Sequence, residues 1–252
     1  MSTNIHAGQV GYHVENGIGT ISFFHPVHNS MPSQLLQILT ETIEEASNDP
    51  EAKVIILKSA GERTFCAGAS FEELSAIEDF ETGKRFFTGF AKVINALRKN
   101  PKLVIGRVQG KAVGGGVGIA AACDYCLATQ YAEIKLSELT IGIGPFVVGP
   151  AVERKVGLAA FSQMAINATA WYAANWAMER GLYAYVYVSI SELDAAVLEL
   201  AQKLAQSSPA AMQELKTVFW EGTQHWDEFL EERAAISGKL VLSEYAKKAI
   251  KL

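Results

Sequence analysis

Lys102-Leu-Val-Ile-Gly-Arg-Val-Gln-Gly-Lys-Ala-Val-Gly-Gly-Gly-Val-Gly-Ile-Ala-Ala-Ala-Cys-Asp-Tyr-Cys-Leu-Ala-Thr129 reads as a short strand, a glycine run, a helix of small residues and a second strand. Gly114, Gly115 and Gly116 carry no Cβ, so a ligand oxygen can approach the main chain closely there. The helix that follows turns the positive end of its dipole toward the same place. The segment suits a ligand that carries, or develops, negative charge.

Strand and helix alternate on both sides of this run. Upstream, Val10–Val14 and Gly19–Phe23 alternate in polarity around Glu15-Asn16-Gly17, a hairpin signal whose Asn-Gly supplies positive φ angles. Ser33 is expected to cap a helix whose apolar positions Leu35, Leu36, Leu39, Ile43 and Ala46 recur at helical spacing until Asn48-Asp49-Pro50. Val54–Lys58 is a short, nearly all-apolar strand of the kind covered on both faces, and a helix pair follows over Phe71–Lys99. Further strands are predicted at Leu103–Val108, Asp124–Thr129 and Glu133–Leu136, which makes the architecture α/β.

From Val147 the pattern becomes helical, at Val147–Val156, Phe161–Ile166, Trp171–Arg180, Glu192–Ala205 and Pro209–Trp220, with one strand at Tyr185–Val188. The amphipathic segments Trp226–Ile236 and Tyr245–Ile250 either finish the fold or dock on another subunit.

The bulk properties narrow the function classes. The 252 residues are 49% hydrophobic, enough for a substantial core, and the net charge of -5 is spread without blocks, so no nucleic-acid partner is indicated. No apolar run is long enough for a membrane span, because glycines, Arg107, Lys111 and Asp124 interrupt the longest. Without a secretory signal at the N-terminus, a cytoplasmic location is the expectation. Cys66, Cys123 and Cys126 are expected to be reduced, and the Cys123-Asp-Tyr-Cys126 spacing, lacking a second pair, reads as buried structural thiols.

The glycine run fits neither dinucleotide nor phosphate-loop chemistry. A frame on Gly114 and Gly116 meets Ile119 where a third glycine belongs, and Gly110-Lys111 is followed by Ala112 rather than Ser or Thr. Instead, Cys66-Ala-Gly-Ala69 and Gly114-Gly-Gly116 each end a loop that leaves a buried strand, so both loops can converge at one end of a sheet. Two backbone donors would then face one cavity, an arrangement that stabilises an enolate or tetrahedral oxyanion. His25 and His28 lack a third ligand, so no metal site is expected. The aromatics Trp171, Tyr172, Trp176, Tyr183, Tyr185 and Tyr187 read as core or subunit contact with a ligand pocket as the alternative, and Lys84, Arg85 and Lys92 as a solvated helix face or a contact to a ligand phosphate.

Asn29-Ser-Met31, Thr64-Phe-Cys-Ala-Gly-Ala69, Gly110-Lys-Ala-Val-Gly-Gly-Gly116, Cys123-Asp124 and Ser137-Glu-Leu-Thr-Ile-Gly-Ile-Gly144, in that order, resemble the crotonase superfamily of enoyl-CoA hydratases and isomerases. The resemblance implies a crotonase-like spiral of strand-strand-helix turns, residues 1–190, holding the acyl-CoA and oxyanion site. It implies a C-terminal helical region, residues 191–252, that makes homotrimers or hexamers. The substrate it implies is an acyl-CoA or acyl-pantetheine thioester, with no further cofactor.

By the same resemblance the oxyanion donors fall on Ala69 and Gly115, the catalytic acid on Glu138, and the substrate-binding positions on Ala67, Gly68, Gly114, Gly118, Ile143 and Phe146. Hydratases of the family use two glutamates, and the first of these positions is Gly118 here. One carboxylate suffices to move a double bond, since it can take a proton from C2 of a 3-enoyl thioester and return it at C4. The Gly142-Ile143-Gly144-Pro145-Phe146 stretch is similar to that of single-glutamate isomerases. Isomerisation is therefore the expectation, with hydratase, acyl-thioester decarboxylase and a non-catalytic acyl-CoA-binding or scaffold protein as alternatives. Gly118→Glu is expected to add weak hydration if the space beside it is open. The family's basic segment after the last helix is not seen in Lys247-Lys-Ala-Ile-Lys-Leu252, which implies an altered grip on CoA.

Overall fold

The computed structural model describes residues 8–250. Strands β1 (Gln9–Glu15) and β2 (Ile18–Phe24) form the expected hairpin, with Glu15 opposite Ile18 and both turn residues at positive φ, 52° for Asn16 and 79° for Gly17. Then come β3 (Ser30–Met31), α1 (Ser33–Asn48), β4 (Val54–Ser59), β5 (Thr64–Cys66), β6 (Gly68–Ala69), α2 (Phe71–Ser75) and α3 (Phe80–Lys99). The next turns supply β7 (Val104–Val108), β8 (Lys111–Val113), α4 (Gly115–Ala122), β9 (Tyr125–Thr129), β10 (Ile134–Lys135), a 3-10 turn over Glu138–Ile141 and α5 (Gly149–Ile166). The chain closes with α6 (Ala174–Glu179), β11 (Tyr185–Tyr187), α7 (Ile190–Ala205), α8 (Pro209–Phe219), α9 (Trp226–Leu240) and α10 (Glu244–Ile250).

The main sheet runs β1-β2-β4-β7-β9-β11, parallel except for the opening hairpin. Each of its central strands is followed by a shorter strand in a side layer, where β10-β8-β5 and β3-β6 pair in parallel. Strand, strand and helix therefore advance by one position per turn, which is the spiral expected from sequence. Because β4 and β7 are parallel neighbours, the segments that follow them, 60–69 and 109–116, leave the same end of the sheet.

Val54–Leu57 of β4 is apolar throughout because both faces are covered. Ile55 and Leu57 point into the core shared with α1 and α3, and Val54 and Ile56 pack under Leu193, Val197, Ala201 and Ala205 of α7. Residues 191–250 thus fold back on the spiral, with α7 on the open face of the sheet and α9 along α3.

Three local expectations change. Ser33 is the first residue of α1 rather than its cap; Pro32 precedes it without a side-chain bond, and the Ser33 amide donates to Glu73 Oε2 of α2 at 2.6 Å. A carboxylate from another helix supplies the negative charge that the helix start favours. The helices foreseen at Val147–Val156 and Phe161–Ile166 are one element, kinked at Gly157, where φ is 76° and ψ 160°. The strand foreseen at Glu133–Leu136 is cut to Ile134–Lys135, and a 3-10 turn beginning at Glu138 follows it. Cys123 and Cys126 are buried and free, as foreseen.

A buried ion pair ties α8 to the end of α4. Lys216 Nζ donates to Asp124 Oδ2 at 2.8 Å, to Leu97 O at 2.8 Å and to Lys102 O at 2.9 Å. Trp220 Nε1 donates to Asp124 Oδ1 at 2.9 Å, and the Val104 amide to Oδ2 at 2.7 Å. Burial pushes the Lys216 ammonium below its ordinary pKa, and the Asp124 charge opposes that shift. Asp124→Ala leaves the ammonium alone in the interior, so urea denaturation should show a loss of about 3–5 kcal/mol. A loss below about 1 kcal/mol would mean the pair does not anchor α8.

Candidate functional site

The segments after β4 and β7 meet backbone to backbone. A Cβ on Gly68, at φ 83°, would stand 2.7 Å from the Val113 carbonyl oxygen and 3.3 Å from the Gly115 nitrogen. Gly68 and Ala69 are held from the other side by Ser30 and Met31 in the β3-β6 ladder. Asn29 fastens that support: its Nδ2 donates to Ala60 O and Thr64 O, both at 2.9 Å, and its Oδ1 accepts from the His25 amide at 3.0 Å. The His28 carbonyl accepts from the Ala67 amide at 3.1 Å. His25 belongs to this scaffold, with Ser30 Oγ 3.0 Å from its Nδ1.

The Gly114 carbonyl receives the amides of Val117 and Gly118, at 2.9 and 3.2 Å, and so opens α4. Gly115 is the first residue of α4, where an amide has no intrahelical acceptor. Three glycines let neighbours close on this short helix: a methyl group on Gly115 would overlap the Phe90 ring, one on Gly116 would lie 2.5 Å from Cys66 O, and one on Gly118 2.5 Å from Val148 Cγ1.

A cavity lies where these pieces converge. Ala67, Gly68, Ala69, Gly114, Gly115 and Glu138 line it, as do Ile143 and Phe146. Its remaining wall is largely apolar, from Phe71, Leu74, Phe87, Phe90, Val147 and Val148, with Ser137 and Ser237 adding hydroxyls. An apolar wall with a few polar groups at one end is the mixture that suits a small-molecule site.

Glu138 is the one ionisable side chain among the described lining residues. Its carboxylate rests on Gly114, where a Cβ would come within 2.8 Å of Oε1; Gly114 is at φ 49° and could not carry a side chain without strain. Oε2 is shut away from solvent and has no hydrogen-bond partner. Burial raises the Glu138 pKa from the ordinary 4.5 to about 7, against the milder pull of its own backbone N–H.

Gly118 departs from its expected place. It is buried behind the wall that Val148 forms and does not line the cavity, so the space foreseen beside it is filled. The aromatic cluster of residues 171–187 also lies elsewhere: Tyr172 stacks on Trp176 at 4.5 Å, Tyr183 is buried with its hydroxyl on Ala132 O, and none lines the cavity. Lys84 pairs with Glu231 at 2.7 Å on the α3–α9 surface. Sequence reasoning missed Phe87, Phe90, Val148 and Ser237. The phenylalanines recur at helical spacing on the apolar face of α3, a pattern indistinguishable from ordinary core. Ser237 arrives from α9, far along the chain.

Comparison with known proteins agrees with this geometry. The enoyl-CoA hydratase/isomerase family profile matches residues 13–249. A short-chain-enoyl-CoA hydratase of Clostridium acetobutylicum is 34% identical over 197 residues, 78% of this chain and 74% of that protein. A mitochondrial methylglutaconyl-CoA hydratase of Rattus norvegicus is 30% identical over 200 residues, 78% of this chain and 63% of that protein. The crystal structure of an enoyl-CoA hydratase from Bacillus halodurans superposes with a TM-score of 0.88 over 96% of this chain and 98% of that one; at 20% identity this is a likeness of fold. Spiral, cleft and family match together identify the chain as a crotonase-type enzyme, a member of the enoyl-CoA hydratase/isomerase family.

Proposed function

We propose that the protein moves a double bond within an enoyl-CoA, using Glu138 as the only proton carrier. The observation that carries this reading is the unpartnered Glu138 Oε2 in a cleft with no second ionisable side chain among its described lining residues. A carboxylate of pKa about 7 is half ionised at neutral pH, so it can take a proton and give it back with little free-energy penalty either way. In the reaction it removes a C2 proton from a 3-enoyl thioester, the Ala69 and Gly115 amides hold the thioester oxygen as negative charge develops, and the carboxyl returns the proton at C4. Each such amide is typically worth about 10²–10³ in rate. Ala67, Gly68, Gly114, Ile143 and Phe146 shape the space around the acyl group.

A second reading has its own support. The relatives compared above are named hydratases, which favours addition of water to a 2-enoyl-CoA. Against it stands the burial of Gly118 under Val148, which leaves Glu138 without a second acid. A cytoplasmic homotrimer or hexamer completes the proposal, supported by family resemblance and by the exposed Leu215, Val218 and Phe219 of α8.

Incubation with 3-enoyl-CoA, 2-enoyl-CoA and a malonyl-type thioester, followed by mass, should show 3-enoyl converted to 2-enoyl as the main reaction. Glu138→Gln should lower that rate by about 10²–10⁴ while acyl-CoA binding persists. Turnover of the malonyl-type substrate alone would reject the proposal.

Stability gives an independent check. The folded pKa of Glu138 lies above the ordinary 4.5, so the native state favours the protonated acid. Its stabilising contribution is complete below pH about 4.5 and is lost as pH rises through about 7, by about 3 kcal/mol in all. Glu138→Gln should therefore melt higher than the wild type at pH 8 and lose that advantage near pH 4.5. Equal melting temperatures at pH 8 would contradict the buried, unpaired carboxylate.

A further inference from the structure

Ser237 brings a hydroxyl from α9 to the cavity wall, and only 1% of its surface is exposed. Its neighbour Gly238 fixes where it stands. A Cβ on Gly238 would lie 2.5 Å from the Lys84 nitrogen and 3.0 Å from the Gly83 carbonyl carbon, so α9 meets α3 there backbone to backbone. Phe87, which lines the cavity, follows Gly83 by one turn of α3, and Phe90, which also lines it, takes the place that a Cβ on Gly115 would need. From Gly83 to Phe90 is two helical turns, about 10 Å. Measured along α3, Ser237 is therefore about that far from Gly115, at the other end of the cleft.

Its own helix serves this hydroxyl poorly. Ser237 Oγ donates to Arg233 O at 3.5 Å, whereas Thr40, Thr42 and Thr88 make the equivalent bonds, to the carbonyls four residues before them, at 2.8 Å. Among the described residues no N–H or O–H donates to Ser237 Oγ. The group keeps a donor and its lone pairs to offer, and a buried hydroxyl left so costs free energy that a partner would recover.

Charge limits what that partner is. Glu138 is the one ionisable side chain among the described lining residues, so no cation from this wall would meet an anion there. A carboxylate at the Ser237 end would be buried against a single hydroxyl, which does not offset its lost hydration. A neutral oxygen asks for one donor or one acceptor, and a serine supplies either. We propose that Ser237 is a specificity-determining residue that selects thioesters whose acyl chain carries a neutral oxygen, as a hydroxyl or an oxo group, remote from the thioester. This rests on the seating of the thioester oxygen at the Ala69 and Gly115 amides proposed above, and it names the acyl group such a site takes.

Binding tests it apart from the chemistry of the double bond. Decanoyl-CoA is saturated and neither isomerises nor adds water, so titration calorimetry with it and with its monohydroxy and mono-oxo derivatives, substituted at successive carbons from the middle of the chain outward, reads the contact alone. In the wild type, a hydroxyl or oxo group at one position or two adjacent ones should tighten binding about fivefold over decanoyl-CoA. Ser237→Ala should erase that preference and leave the affinity for decanoyl-CoA unchanged; alanine is the stronger helix former, so the variant should melt no lower than the wild type. Equal affinity across the wild-type series, a preference that survives Ser237→Ala, or no binding of any of these thioesters would overturn the proposal. Failure of the isomerase reading is seen separately, as 3-enoyl-CoA that is not turned over, and it leaves the affinities and their dependence on Ser237 as measured.

Discussion

A carboxylate oxygen sealed from water with no donor to meet it is a standing cost to a folded chain, and this molecule keeps one. Burial of the Glu138 acid is unfavourable once it ionises, because Oε2 has no donor and the acid's own backbone N–H only partly offsets the lost hydration. The contrast within the same chain is Asp124, whose buried side chain is met by an ammonium, an indole N–H and a main-chain amide. One acid is placed for stability. The other has no such partner at Oε2, which is the condition that the proposed proton carrier requires.

Glycine makes that placement feasible. The carboxylate presses on Gly114, the side layer's Val113 carbonyl sits over Gly68, and α4 accepts Phe90, the Cys66 backbone and Val148 at successive glycines. A short helix that tolerates contact from three sides can be buried completely while its first residue, Gly115, still lines the cleft. The spiral supplies the rest: parallel pairing of β4 and β7 delivers both turns to one end of the sheet, and β3 braces the outer turn through Asn29. Small residues here do not mark flexibility. They mark where main chains and side chains are brought closer than any Cβ would allow.

Much of this was legible in the sequence, and the limits are instructive. Periodicity located the main-sheet strands and the long helices but not the two- and three-residue strands β3, β5, β6 and β8, and the apolar run at Val54–Lys58 correctly implied cover on both faces. The residues at 67–69, 114–115, 138, 143 and 146 do gather around one cavity. Gly118 did not join them, because an absent side chain looks the same in sequence whether it leaves open space or accepts a neighbour. Ser33 failed as a cap because the competing carboxylate, Glu73, lies forty residues downstream in the chain and is brought near only by folding. Phe87, Phe90 and Ser237 were invisible for the same reason: local pattern tells that a face is buried, not whether it is buried against protein or against a ligand.

The account turns on the ionisation of one side chain, which is directly measurable. Carbon-13 NMR of protein labelled at glutamate carboxyls, with Glu138→Gln used to assign the resonance, follows that group through its titration. A midpoint near pH 7 is the result the lone, desolvated acid requires. A midpoint near the ordinary glutamate value of 4.5 would mean that water or a donor reaches the carboxylate, and would contradict the account at its centre.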